Sequence, residues 1–169
     1  MLVVAVLLVL VRRQEDQPDD AAVADVSGAT ADPRGDLPPV QVDTPDVTPA
    51  ADLACPVLMG QLPLELAGET SRMVASDTPF AYAWGDPAVV LICGVDPPAG
   101  YVVGSQSLEI NGVQWFVDTA DPDTVVWTTV DRVVPVQMRV PASTDSALVT
   151  AAGPIIAGAI PYTDPVPGG

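Results

Sequence analysis

Histidine and lysine are absent from this 169-residue chain, whose cations are six arginines set against 22 acidic residues, for a formal net charge of −16. Without imidazole there is no His general base, no Ser-His or Cys-His nucleophile pair and no His metal ligand. Without lysine there is no Schiff base and no Ser-Lys pair. Carboxylates, hydroxyls, two thiols and a few arginines remain for chemistry. Nucleic acid is not expected as a partner, because phosphate binding needs clustered basic side chains and the field of this chain repels a polyanion. No internal repeat is visible, and no Cys-x-x-Cys spacing of the kind that redox-active thiols use.

What is present is an ordered series of unlike parts. Met1 to Val11 is an unbroken apolar run followed by Arg12-Arg13. A membrane-spanning helix needs about 17–25 such residues, so residues 1–13 are expected to be an anchor or signal-like segment that begins upstream of this start. The two arginines argue for a cytoplasmic domain under the positive-inside rule; the cysteines and the spacer argue for the outside, which is favoured. Residues 14–50 are acidic and proline-rich without a helical or strand period, which predicts a disordered linker. Residues 51–161 are patterned and predict a single domain, and residues 162–169 a disordered tail.

Within the patterned region, Thr48-Pro49 reads as a cap and first helical residue, leading into a helix on which Leu53, Val57 or Leu58, and Leu62 share a face. Pro56 is expected to kink or restart it. Thr70 to Pro87 reads as loop. Ala88 to Val95 is a short β-branched run, hence a buried strand. Asn111-Gly112 between SLEI and VQWFVD predicts a hairpin with a two-residue type I′ turn. TVVWTTV and VVPVQMRV read as further strands, and Ser143 or Thr144 as the cap of a last helix that Gly153-Pro154 interrupts. The expected fold class is α+β: a small, mainly antiparallel sheet of about four strands flanked by two helices.

Candidate site residues follow. A bond between Cys55 and Cys93 would close a loop of about 39 residues, worth on the order of 4 kcal/mol; the alternative is two buried thiols. Asp118, Asp121 and Asp123 cluster at a turn and are weak candidates for a metal, although Asp-Pro-Asp is ordinary turn chemistry. Together with Asp86 they are also the first candidates for a carboxylate-dependent enzyme. Trp84, Trp115, Arg132 and Arg139 are candidates for a ligand or partner surface, with core packing the simpler role for Trp115. No catalytic residue and no cofactor are assigned.

The segments ACPVLMGQLP, AYAWGDPAVVLICGV, INGVQWFV and VDRVVPVQMRVP, with the closing Ala-rich helix, resemble the actinobacterial family called domain of unknown function 3515, over about Asp52 to Pro161. The resemblance implies a small envelope protein with one hydrophobic N-terminal segment, an exported domain, and Cys55 and Cys93 as the family's paired cysteines. The resulting expectation is a non-catalytic binding or structural component, attached to the membrane through its N-terminal segment with the domain outside, or else secreted, and meeting an envelope protein partner. The alternatives are the carboxylate-dependent enzyme and a small-ligand-binding envelope protein.

Overall fold

Asn111 and Gly112 adopt φ values of +52° and +76°, the left-handed pair that a two-residue hairpin turn requires. The turn joins β7 (Leu108–Ile110) to β8 (Val113–Asp118), with Ile110 opposite Val113. The structure is a computed structural model and describes residues 33–167; the expected anchor and the first part of the expected linker lie outside the described residues. From the hairpin the chain continues as an antiparallel meander through β9 (Thr124–Thr129) and β10 (Val136–Pro141). β10 then pairs with β6 (Val89–Cys93), the anticipated buried strand.

The sheet is twice the expected size. Beyond β6 lie β5 (Ala81–Trp84), β3 (Glu69–Arg72) and β2 (Glu65–Leu66), giving eight antiparallel strands in the order β2-β3-β5-β6-β10-β9-β8-β7. These three strands fall in or just before the stretch expected to be loop. EL and ETSR carry little intrinsic strand signal, and AYAW offers two strand-favouring aromatics in a run of only four residues. They are held by tertiary pairing, with Ala81 to Trp84 matched residue by residue against Val89 to Ile92. Strand propensity is dominated by such context.

Two helices cover one face. α1 (Pro49–Met59) starts at Thr48, whose side chain accepts from the Ala51 amide at 3.2 Å, and it runs unbroken through Pro56. α2 (Ala147–Ala159) likewise runs unbroken through Gly153-Pro154, and it starts after Ser146 rather than after Ser143 or Thr144. An internal proline removes one ladder hydrogen bond and crowds the preceding turn; neither proline ends its helix here. Between helices and sheet lies the main core, with Trp84, Leu91, Trp115, Val136 and Met138 from the sheet against Leu58, Val149 and Ile156 from the helices.

The other face is partly covered by chain that the composition alone marked as spacer. Val42 is buried with Ala83, Val90 and Ile92, and β1 (Val40–Gln41) pairs in parallel with β4 (Val74–Ala75). Backbone bonds from Arg34 to Ser71 (2.8 Å) and from Val40 to Met73 (2.8 Å) hold this strap. The Arg72 guanidinium adds bonds to Pro38 O (3.0 Å) and Gly85 O (2.9 Å). The short alternation Val40-Gln41-Val42 suffices because an apolar patch on the sheet is there to receive it. The start of the expected tail is also held: Val133 donates to Pro161 O (3.0 Å) and Thr163 to Asp131 O (2.9 Å).

Candidate functional site

Cys55 and Cys93 form a disulfide, with Sγ atoms 2.09 Å apart and Cα atoms 5.8 Å apart. The bond ties the middle of α1 to the end of β6, at a place where helix and strand already touch. Gly94, at φ +90°, leaves so little room that a Cβ there would stand 2.9 Å from the Ala51 Cβ. Ala51, Cys55 and Leu58 are therefore the buried stripe of α1.

That orientation turns a second apolar stripe outward. Leu53 and Val57, expected to face the core, are 80% and 49% exposed. Spaced four residues apart, they lie on one side of the helix. They form one wall of a shallow groove of about 380 Å³ whose other wall includes Val133, Val134, Ala159 and Pro161. Val133 is itself 49% exposed. No charged residue lines the groove, which is notable on a chain this acidic. The sequence held the signal in the surplus of apolar residues on α1: Leu53 and Val57 cannot share a face with Ala51 and Cys55, so one stripe had to be left outside.

Arg132 does not form a surface. Its side chain is 5% exposed and lies beside Asp131, itself 2% exposed, at 3.2 Å. The guanidinium also donates to Ile160 O (3.3 Å) and to Gly112 O, and Tyr162 covers it with a ring centroid 5.9 Å away. Arg132 Nε and Asp131 Oδ1 are buried without a hydrogen-bond partner. Arg132 also borders a cavity of about 180 Å³ shared with Tyr101, Thr129 and Asp164.

Trp84 and Trp115 are fully buried and so are not a ligand platform. Strand alternation puts them on the helix-facing side with Leu91 and Met138. The Trp84 indole donates to Pro63 O at 3.0 Å; Trp115 stacks edge-on to Trp127 at 6.4 Å, and its Nε1 has no acceptor. Arg139 is on the opposite face of the sheet from these residues, half-buried, with its Nε donating to Gln137 Oε1 at 2.8 Å. The structure therefore separates Arg139 from Arg132 and brings neither to the groove.

The acidic turn is occupied by its own backbone. Asp118 accepts from the Ala120 amide and Asp121 from the Asp123 amide, both at 2.9 Å. Among the described residues no group of three or more His, Cys, Asp or Glu side chains is placed to hold a metal. Asp86 lies 3.7 Å from Arg72, away from that turn. The exposed ion pair Arg34–Asp36, at 2.6 Å, brings the Asp36 carboxyl down to about 2. The cause is first the side-chain hydrogen bond from Arg34, with the attraction of the guanidinium charge adding to it.

No curated protein and no solved structure matches the chain. A family model described as a protein of unknown function, DUF3515, matches residues 1–164, so the match takes in the apolar start and the acidic spacer as well as the folded region. The chain belongs to the DUF3515 family.

Proposed function

We propose that this protein is a non-catalytic binding domain, held on the outer side of a cell membrane by its N-terminal apolar segment, which meets an envelope protein partner through the groove between α1 and the end of α2. The observation that carries the reading is the outward stripe of Leu53 and Val57 opposite Val133, apolar side chains left in water beside a core that had no room for them. Exposed apolar surface that forms one contiguous, uncharged groove is the usual mark of a docking site.

The disulfide supports an oxidising compartment, since such bonds persist outside the cytosol. No helix among the described residues is long and apolar enough to cross a membrane; the tether in this reading is the apolar run Met1–Val11. Membrane fractionation combined with protease accessibility on intact cells tests the compartment: a domain that protease cannot reach until the membrane is broken rules out the outer side. For the groove, site-specific photocrosslinking from position 57 should capture a defined protein, and replacing Leu53 with Asn should abolish the capture.

A second reading rests on a separate observation. The cavity of about 180 Å³ bordered by Tyr101, Thr129, Arg132 and Asp164 suits a small neutral ligand. The neighbouring Asp131 already balances the arginine charge, so an anion gains little there.

A further inference from the structure

Resting on the groove reading above, we infer that the occupant is an amphipathic helix whose apolar face is flanked by basic residues. Three observations lead there. The first is that no strand edge lines the groove, so an extended peptide has no ladder to pair with there. Its walls are α1, the end of α2 with Pro161, and the Val133–Val134 segment, and the Val133 amide is bonded to Pro161 O at 3.0 Å. An extended peptide would bury its own amides and carbonyls without partners, which costs several kcal/mol for each group in an apolar site. A helix satisfies its own backbone and presents apolar residues at i and i+4, the same spacing as Leu53 and Val57.

The second observation concerns charge. The four arginines of the described residues are all committed elsewhere: Arg34 against Asp36, Arg72 against Asp86 and Arg132 against Asp131, while Arg139 is on the far face of the sheet. Next to Leu53 on α1 stands Asp52, exposed, on a chain of net charge −16 and isoelectric point about 4.1. Basic flanks on the occupant are steered in and acidic flanks kept out.

The third observation eliminates the other natural occupants. A peripheral membrane site pairs its apolar residues with Lys or Arg that meet anionic headgroups, and this groove has none beside it. A second copy would press two strongly acidic surfaces together around a small patch.

The test uses the full chain in phosphatidylcholine nanodiscs and three synthetic helical peptides of one leucine pattern, with polar positions filled by Lys, Gln or Glu. Affinities are measured by fluorescence anisotropy for the wild type and for the variant Leu53→Asn with Val57→Asn. Both sites are exposed, and unchanged near-ultraviolet circular dichroism verifies that the variant folds. The expected result is that the Lys peptide binds the wild type about tenfold or more tightly than the Gln peptide, that the Glu peptide fails to bind, and that the double variant loses about tenfold or more for the Lys peptide. Equal binding of the Lys and Gln peptides overturns the basic class and leaves the groove reading standing. Lys-peptide binding that the double variant does not weaken shows diffuse attraction to an acidic surface and overturns the inference. So does a dimer of the wild type that the double variant abolishes, or protection of α1 amides from hydrogen exchange by the nanodisc lipid alone.

Discussion

Asn111 donates its side-chain amide to the carbonyl of Thr150 at 2.8 Å, and Thr150 stands four residues before Pro154, the position whose missing N–H leaves that carbonyl without its helical donor. The residue that makes the hairpin turn also repairs the helix. Gly153 completes the fit: a Cβ there would stand 3.3 Å from Asn111 Cβ and 3.3 Å from Ile110 O, so the turn can lie directly against the helix. The Gly153-Pro154 pair, which reads as an interruption along the chain, is a docking place for the hairpin.

Replacing Asn111 with Gly keeps the positive φ and removes only the bond to Thr150. We expect a loss of about 1 kcal/mol in unfolding free energy, the usual net worth of such a bond, measured as a lowered urea midpoint with unchanged slope. In a Pro154→Ala background the helix supplies its own donor, and the same substitution should lose about half as much or less. An equal loss in both backgrounds would count against the repair.

Gly94→Ala should be the more damaging glycine change. It meets both a φ of +90° and a contact of 2.9 Å with Ala51. Backbone strain of roughly 1–2 kcal/mol and crowding of roughly 1–3 kcal/mol together predict a loss of about 2–5 kcal/mol by chemical denaturation. Gly112→Ala, with open space around it, should lose only the strain portion.

Opening the Cys55–Cys93 bond frees a loop with a sequence separation of 38. Replacing both cysteines with alanine is expected to lower stability by about 4 kcal/mol, chiefly by enlarging the unfolded ensemble. Reductant should then have no effect on the double variant and a large one on the wild type. A thiol assay on unfolded, unreduced protein should find no free sulfhydryl.

The Asp36 carboxyl, lowered to about 2 from 3.8 by Arg34, sets a pH window. A depressed carboxyl stabilises the fold above its unfolded value and loses that contribution as pH falls through the folded value. The contribution should therefore be complete above about pH 5 and be lost progressively down to about pH 1. Carbon-detected NMR titration should place the Asp36 midpoint near 2, and Arg34→Ala should return it to the ordinary aspartate range. A normal midpoint in the wild type would remove this pair from the acid response.

Much of the right half of the sheet was legible along the chain because its signals are local. Asn111-Gly112 demands positive φ whatever surrounds it, and the alternation in VQWFVD and VQMRV marks which side faces a core. β2, β3 and β5 carried no such mark. Ser71 and Ala83 are strand residues because Trp84 and Val90 stand across from them, a fact settled by pairing. The groove was not legible: the apolar face read along α1, Leu53 with Val57, turned out to be the exposed one, because the burial of Ala51 and Cys55 was decided by packing against β6.

By itself the sequence determined the chemistry available, the hairpin and both helices, since each depends on residue type or on spacing within a few turns; that Cys55 and Cys93, 38 residues apart, meet was decided by the tertiary structure. The tertiary structure decided that the sheet has eight strands, that the strap around Val40 packs on it, that Arg132 is sealed beside Asp131, and that Leu53 and Val57 face water. Those outcomes rest on which surfaces fit against which. The close approach of Ala51 to Gly94 oriented α1, and once it was oriented, its remaining apolar stripe had nowhere to go but outward.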